Sequence, residues 1–369
     1  MSSAPIPFND FQREPETLIQ DQMRAAEAVL RSGWWVLGQQ VQTFEQAWAS
    51  HCGTTGAVGV ANGLDAIEIG LRSLVIGPGD EVITTALTAY ATTLAIQRCG
   101  AIPVFADIDP ATACLDPASV ERCISPTTRA VLVVHLYGRA ANLTGLHQIC
   151  SRHGLLLLED CAQAHGAHHA GRPVGSIGSF GAWSFYPTKN LGAIGDAGAL
   201  TSSDQALLAK AKQLRNYGQS DRYHHDFQGL NSRLDELQAA LLLERLPHLK
   251  AWTERRRSIA QRYWSEIFHP ELELLAPPSE PSSHVHHLFV LRTPRRAALQ
   301  GHLDAAGIKT LIHYPVPCHL QKALGAHRID SVGLHTTEHH ASACLSLPIH
   351  PFLSDQDVDR VISACNCFS

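Results

Sequence analysis

Lysine is nearly missing from this chain: none precedes Lys189, and only Lys210, Lys212, Lys250, Lys309 and Lys322 follow it. Arginine supplies the rest of the 29 basic residues, and a guanidinium keeps its charge and cannot act as a nucleophile. Chemistry that needs a neutral amine therefore has very few candidates. Lys189 lies in Trp183-Ser184-Phe185-Tyr186-Pro187-Thr188-Lys189-Asn190-Leu191-Gly192, an aromatic and glycine-containing setting of the kind that desolvates an amine and lowers its pKa. Lys210 and Lys212 fall in a polar helical pattern, and the other three lie beside helix ends or loops.

Other absences narrow the function further. No run approaches the ~18 apolar residues that span a bilayer, and residues 1–10 lack a basic segment leading into an apolar one, so the expectation is a cytoplasmic protein with no membrane partner. A net charge of −5 and a pI near 6.5 leave no basic footprint for nucleic acid. Ten cysteines include no paired Cys-x-x-Cys motifs, so they are expected to be reduced, buried and small-hydrophobic in character. The 22 histidines include the doublets His168-His169, His224-His225, His286-His287 and His339-His340 but no His-Glu-x-x-His. No metal site is expected, and surface or interface positions are expected for the histidines. No Gly-x-Gly-x-x-Gly follows a strand at a helix start, which argues against a dinucleotide-dependent dehydrogenase.

What is present is a strand-then-helix rhythm in a chain of 369 residues, 45% hydrophobic and 17% charged. Strands are predicted at Val58 to Asn62, Glu81 to Thr85, Ile102 to Ile108, Ala130 to Leu136, Leu155 to Leu158, Ala182 to Phe185 and Gly198 to Ser202. Most are continuous apolar runs, which suit a mainly parallel sheet sandwiched by helices. Helical patterns fall at Leu64 to Leu74, Ala89 to Cys99, Pro117 to Cys123, Leu143 to His153 and Gln205 to Asn216. Residues 216–229 read as a loop between domains or across a subunit boundary. Arg255, Arg256, Arg257 and Arg262 on a helix over Trp252 to Phe268 read as a solvated face. The expectation is an α/β fold with an N-terminal segment and large domain over 1–250 and a smaller α+β C-terminal domain over 251–369.

In open α/β sheets, ligands bind outside the carboxyl ends of strands. Leu155 to Leu158 ends in Glu159-Asp160, where a carboxylate is placed to hold a cationic ring nitrogen or, more simply, to cap a loop. Ser184 ends another strand five residues before Lys189. Ala61-Asn62-Gly63-Leu64-Asp65 passes from strand through glycine into a helix and offers backbone N–H groups to an anion. Together these form the parts of a pyridoxal phosphate site: anion cradle, ring-nitrogen carboxylate, phosphate hydroxyl and Schiff-base lysine.

The chain at this point resembles the DegT/DnrJ/EryC1/StrS family of sugar aminotransferases, enzymes of the aspartate aminotransferase-like fold. The matching segments are Ser32 to Gly38, Ala61 to Ala66, Gly77 to Ile83, Glu159 to Gly166, Ser184 to Gly192, Asn231 to Ala239 and Ile312 to Pro315. The resemblance implies that Lys189 forms the Schiff base with pyridoxal 5′-phosphate, Asp160 pairs with the ring nitrogen and Gln163 neighbours the ring hydroxyl. It implies phosphate-binding positions at Gly63, Leu64 and Ser184, and a ring-stacking aromatic at Tyr90. Asn231 is similar to a residue that reaches the cofactor phosphate of the neighbouring subunit, so a homodimer with shared sites is implied. A Ser-x-x-Asp capping box at Ser232 and Asp235 is expected to place Asn231 at a helix start.

The expected reaction is amino transfer from L-glutamate, through pyridoxamine 5′-phosphate, to a keto sugar nucleotide, releasing 2-oxoglutarate. Gly307 to Gln321 resembles members that aminate C3 of a dTDP-linked 3-keto-6-deoxyhexose, giving a dTDP-3-amino-3,6-dideoxyhexose. Amination at C4 of a 4-keto sugar nucleotide and a non-catalytic sensor on the same fold are the alternatives. Tyr186, Tyr217, Tyr223, His313 and Tyr314 are candidates to line the sugar pocket, and Arg222 or Arg233 to neutralise the diphosphate.

Overall fold

The computed structural model describes residues 4–369. Helices α1 (Glu16–Ser32) and α2 (Gln39–Cys52) lead into β1 (Gly56–Val60) and α3 (Gly63–Ser73). The alternation continues through β2 (Glu81–Thr85), α4 (Tyr90–Arg98), β3 (Ile102–Ala106), α5 (Pro117–Cys123), β4 (Thr128–Val134), α6 (Leu143–His153) and β5 (Leu156–Asp160). Strands β6 (Gly181–Ser184) and β7 (Gly198–Ser202) follow, then α7 (Gln205–Leu214), α8 (Glu236–Arg245) and α9 (Leu249–Glu266). The remainder contains β8 (Glu273–Leu274), β9 (Phe289–Arg292), α10 (Arg296–Ala305), β10 (Arg328–Ile329), α11 (His335–Ala343), β11 (Cys344–Leu347) and α12 (Asp355–Asn366).

The central sheet has the order β1-β7-β6-β5-β4-β2-β3-β10, and only β7 runs against its neighbours. Its apolar runs are continuous because both faces are covered. Along β4, Val131 and Val133 join the core beneath α2, α5, α6 and α8, while Ala130 and Leu132 join the core beneath α3, α4 and α7. A third core lies among α9, α10, α12, β9 and β11. The predicted strands are all present, with ends displaced by at most two residues.

Two segments cross between these cores. Ile6 is fully buried in the third core and bonds in both directions to the Gly307–Lys309 backbone. Strand β10, absent from the sequence expectation, pairs with the edge of β3. Ion pairs hold it there: Arg328 with Glu81 at 2.6 Å and Asp330 with Arg122 at 2.5 Å. Two residues carry too little pattern to announce a strand, and the charges that dock them are distant in sequence.

The arginines of α9 do not form a solvated face. Arg256 is 4% exposed and donates to the carbonyls of His286, His287 and Ile349, while Arg257 donates to that of His284. These guanidiniums satisfy carbonyls of irregular backbone that no ladder reaches. The histidine expectation also fails for His286, His287 and His340, all buried, whereas His224 and His225 are exposed on a short hairpin within residues 216–229.

Candidate active site

The carboxyl ends of β1, β5 and β6 open onto a cavity of about 390 Å³ lined by Gly63, Leu64, Thr92, Asp160, Ser184, Tyr186 and Lys189, among others. Asn62 caps α3 by accepting from the Asp65 N–H at 2.9 Å. The N–H groups of Gly63 and Leu64, in the first helical turn, are thereby left to an anion. Glycine is needed at 63 because a Cβ there would stand 2.8 Å from the Ser184 Cβ. This close approach brings the helix start and the serine hydroxyl to one place.

Asp160 is the last residue of β5 and is 5% exposed. Its Oδ1 accepts from the Ala162 N–H at 3.1 Å and its Oδ2 from the Thr92 hydroxyl at 2.8 Å. Burial raises its pKa, against those donors and the charge of Lys189. Burial lowers the Lys189 pKa to about 8, opposed by Asp160. The two groups line one cavity without forming an ion pair among the described residues. An amine near neutrality, a carboxylate with free lone pairs and a helix start beside a hydroxyl fit an aldehyde, a ring nitrogen and a phosphate in turn.

The loop bearing Lys189 is held from several sides. Asn190 donates to the Val285 carbonyl at 2.9 Å and contacts His287 at 3.2 Å, and the Leu191 N–H donates to His165 at 3.1 Å. Gln163, 5% exposed, accepts from the Tyr137 N–H at 2.6 Å and donates to the Tyr314 hydroxyl at 3.1 Å. His135 and Cys161 cluster with Glu159, whose carboxylate accepts from the N–H groups of Gly175, Ile177 and Gly178 as well as contacting His135. These hydrogen bonds fasten the turn after β5.

The model of the DegT/DnrJ/EryC1/StrS aminotransferase family matches residues 16–366. The chain belongs to this family. It is 45% identical over 362 residues to the dTDP-3-amino-3,4,6-trideoxy-alpha-D-glucose transaminase of Streptomyces venezuelae, covering 97% of this chain and 95% of that one. It is 44% identical over 361 residues to the dTDP-3-amino-3,6-dideoxy-alpha-D-galactopyranose transaminase of Aneurinibacillus thermoaerophilus, covering 98% and 99%. The crystal structure of S. venezuelae DesV in complex with a ketimine intermediate superposes with a TM-score of 0.95 at 44% identity, covering 99% and 98% of the two chains.

Within this aminotransferase fold, the other expected site residues are distributed unevenly. His313 and Tyr314 arrive on the segment after α10, with His313 Nδ1 2.9 Å from the Ser346 hydroxyl and Tyr314 on Gln163. Tyr90 begins α4 beside the cavity; its ring packs against the Ala86, Phe105, Cys318 and Leu334 cluster and its hydroxyl donates to Gln97 at 3.3 Å. Tyr217, Tyr223 and Asn231 are exposed and do not line the cavity of their own chain. Arg222 and Arg233 stack on Tyr223 and Tyr217 at 5.2 and 5.3 Å.

The predicted capping box does not form. Ser232 is buried and accepts from the Ala61 N–H at 3.1 Å, and α8 starts only at Glu236, so Asn231 lies before the helix and pairs by backbone with Asn216. Glu236 instead reaches the start of α2, accepting from the N–H groups of Gly38, Gln40 and Val41 at 2.8, 2.9 and 2.9 Å. Sequence reading also missed Thr92, Asn190 and His287. For Thr92 a signal existed, since Thr88 and Thr92 stand four apart at a helix start.

Proposed function

We propose that this chain is a pyridoxal phosphate-dependent aminotransferase that moves the amino group of L-glutamate to C3 of a dTDP-linked 3-keto-6-deoxyhexose. The observation that carries the reading is the shared cavity of Lys189 and Asp160, a half-buried amine of lowered pKa beside a buried carboxylate at the end of β5. Full-length identity to two transaminases named for 3-amino sugars supports the position of amination.

Bound in this cavity, the cofactor supplies an electron-withdrawing ring that stabilises negative charge on the substrate carbon beside the transferred nitrogen. The N–H groups of Gly63 and Leu64 with the Ser184 hydroxyl would hold its phosphate. Asp160 would hold the ring nitrogen and favour its protonated form, Gln163 would flank the ring hydroxyl, and Tyr90 would bound the ring face. Lys189 would hold the aldehyde, and its Nζ would take the proton from the substrate carbon beside the transferred nitrogen as a neutral amine and give it back as an ammonium. A pKa of about 8 suits both directions, because neutral and charged amine coexist near neutral pH.

We further propose that residues 1–250 form an N-terminal segment and the large cofactor-binding domain and 251–369 the small domain, and that two copies share sites. Supporting the dimer, Trp34 and Trp35 are 64% and 60% exposed beside the start of α8, and Asn231 faces outward. Tyr186, His313 and Tyr314 are assigned to the sugar, and Tyr217 and Tyr223, which do not line the cavity of their own chain, are assigned to it only across the subunit boundary. A cytoplasmic location accords with ten unpaired cysteines, and no helix of the described residues is long and apolar enough to cross a membrane. Incubating the glutamate-loaded enzyme with 3-keto and 4-keto sugar nucleotides and locating the new amine by NMR tests the assignment; amination confined to C4 would contradict it.

A further inference from the structure

We propose that Thr92, oriented by Thr88, is a positioning residue that holds the Asp160 carboxylate and keeps it ionised against the cofactor ring. This rests on the assignment of Asp160 to the ring nitrogen. Thr92 is 0% and Thr88 5% exposed, so water does not compete for either hydroxyl. The Thr92 hydroxyl lies 2.8 Å from Asp160 Oδ2 and 3.0 Å from the Thr88 hydroxyl.

The direction of this chain follows from counting hydrogens. An ionised carboxylate only accepts, so the single hydroxyl hydrogen of Thr92 goes to Asp160. Thr88 must then donate to Thr92. The relay therefore runs Thr88 to Thr92 to Asp160, with the Ala162 N–H supplying the other carboxylate oxygen at 3.1 Å. Donors from two different elements, one on each oxygen, fix the carboxylate plane. They also oppose the burial that would neutralise Asp160. The small domain takes part, since the Cys318 N–H donates to the Ala86 carbonyl at 2.8 Å and its Sγ contacts that of Thr88 at 3.5 Å. The segment that delivers Tyr314 thus also seats the first threonine.

The other titratable groups facing Asp160 are Lys189 after β6, His135 at the end of β4, Cys161 on its own turn and Tyr314. None is altered by changing a threonine. Thr92→Val keeps the shape and removes the donor. Asp160 then competes better for the proton shared with the ring nitrogen, the ring loses positive charge, and the cofactor-bound lysine nitrogen becomes more basic.

The test is a pH titration of the visible absorbance of the holoenzyme. Thr92→Val should move the midpoint upward by roughly half a unit to one unit and lower kcat by about 10-fold, with KM for glutamate little changed. Thr92→Ser should restore both. Thr88→Val should shift the midpoint the same way by less, and it carries the test if Thr92→Val retains no cofactor. An unmoved midpoint in the retaining variants, or a loss of KM and stability alone, would overturn the proposal. Failure of the wild type to bind the cofactor through Lys189 would instead overturn the reading beneath it.

Discussion

Asp160 stands directly opposite Ala182 in the register of two adjacent parallel strands, so the chain leaving β6 passes the carboxylate before it reaches Lys189. Asp160 cannot shift without moving a strand paired on both sides, and Lys189 follows β6 on a loop held by Asn190 and the Leu191 N–H.

Lys189→Ala should therefore leave the fold intact while lowering transamination by at least about 10²-fold, the usual scale for a lost acid–base group. Circular dichroism and steady-state assay with glutamate check the two halves of this expectation. Retained activity would place the chemistry on another residue.

The depressed amine pKa makes a claim that needs no cofactor. Labelling the apoprotein with trace acetic anhydride should modify Lys189 with an inflection near pH 8, because only the neutral amine reacts and burial favours it. Mass spectrometry of the peptides reads the profile. The exposed Lys309, paired with Asp304, supplies a comparison in the same digest.

Buried histidines should make the protein acid-sensitive. Burial lowers His286 and His340 to about 3 and His350 to about 4, from an ordinary 6.5. The unfolded chain then binds more protons than the native one at every pH between these limits. Stability is complete above 6.5 and declines as pH falls toward 4. Denaturant midpoints measured from pH 7.5 to 4.5 should fall progressively; a flat profile would contradict the burial.

Glu236 is 3% exposed and accepts three backbone N–H groups at the start of α2. Glu236→Ala leaves those donors without a partner and should cost on the order of 3 kcal/mol. Thermal and denaturant unfolding measure it, and a change below about 0.5 kcal/mol, the scale of a surface substitution, would argue against the cap.

If Asn231 serves the partner's site, mixing Lys189→Ala with Asn231→Ala chains under subunit exchange should recover activity, since a heterodimer contains one intact site. No recovery after confirmed exchange would confine each site to a single chain.

The sequence carried the sheet well because continuous apolar runs such as Leu155 to Leu158 and Ala130 to Leu136 have few other uses. It carried Lys189 and Asp160 because lysine is scarce and a carboxylate after an apolar strand is conspicuous. It failed where partners are remote. Ser232 and Asp235 have capping-box spacing, yet tertiary packing gives the serine to Ala61 and brings Glu236 to another helix. Arg256 has the spacing of a solvated face, yet its carbonyl partners come from residues 286, 287 and 349. Local pattern records which groups are polar; it does not record which distant backbone needs them.

Borohydride reduction of the pyridoxal phosphate-loaded protein, followed by peptide mapping, should find one phosphopyridoxyl group per chain, on Lys189. Attachment to another of the six lysines, or none at all, would contradict the role given to Lys189.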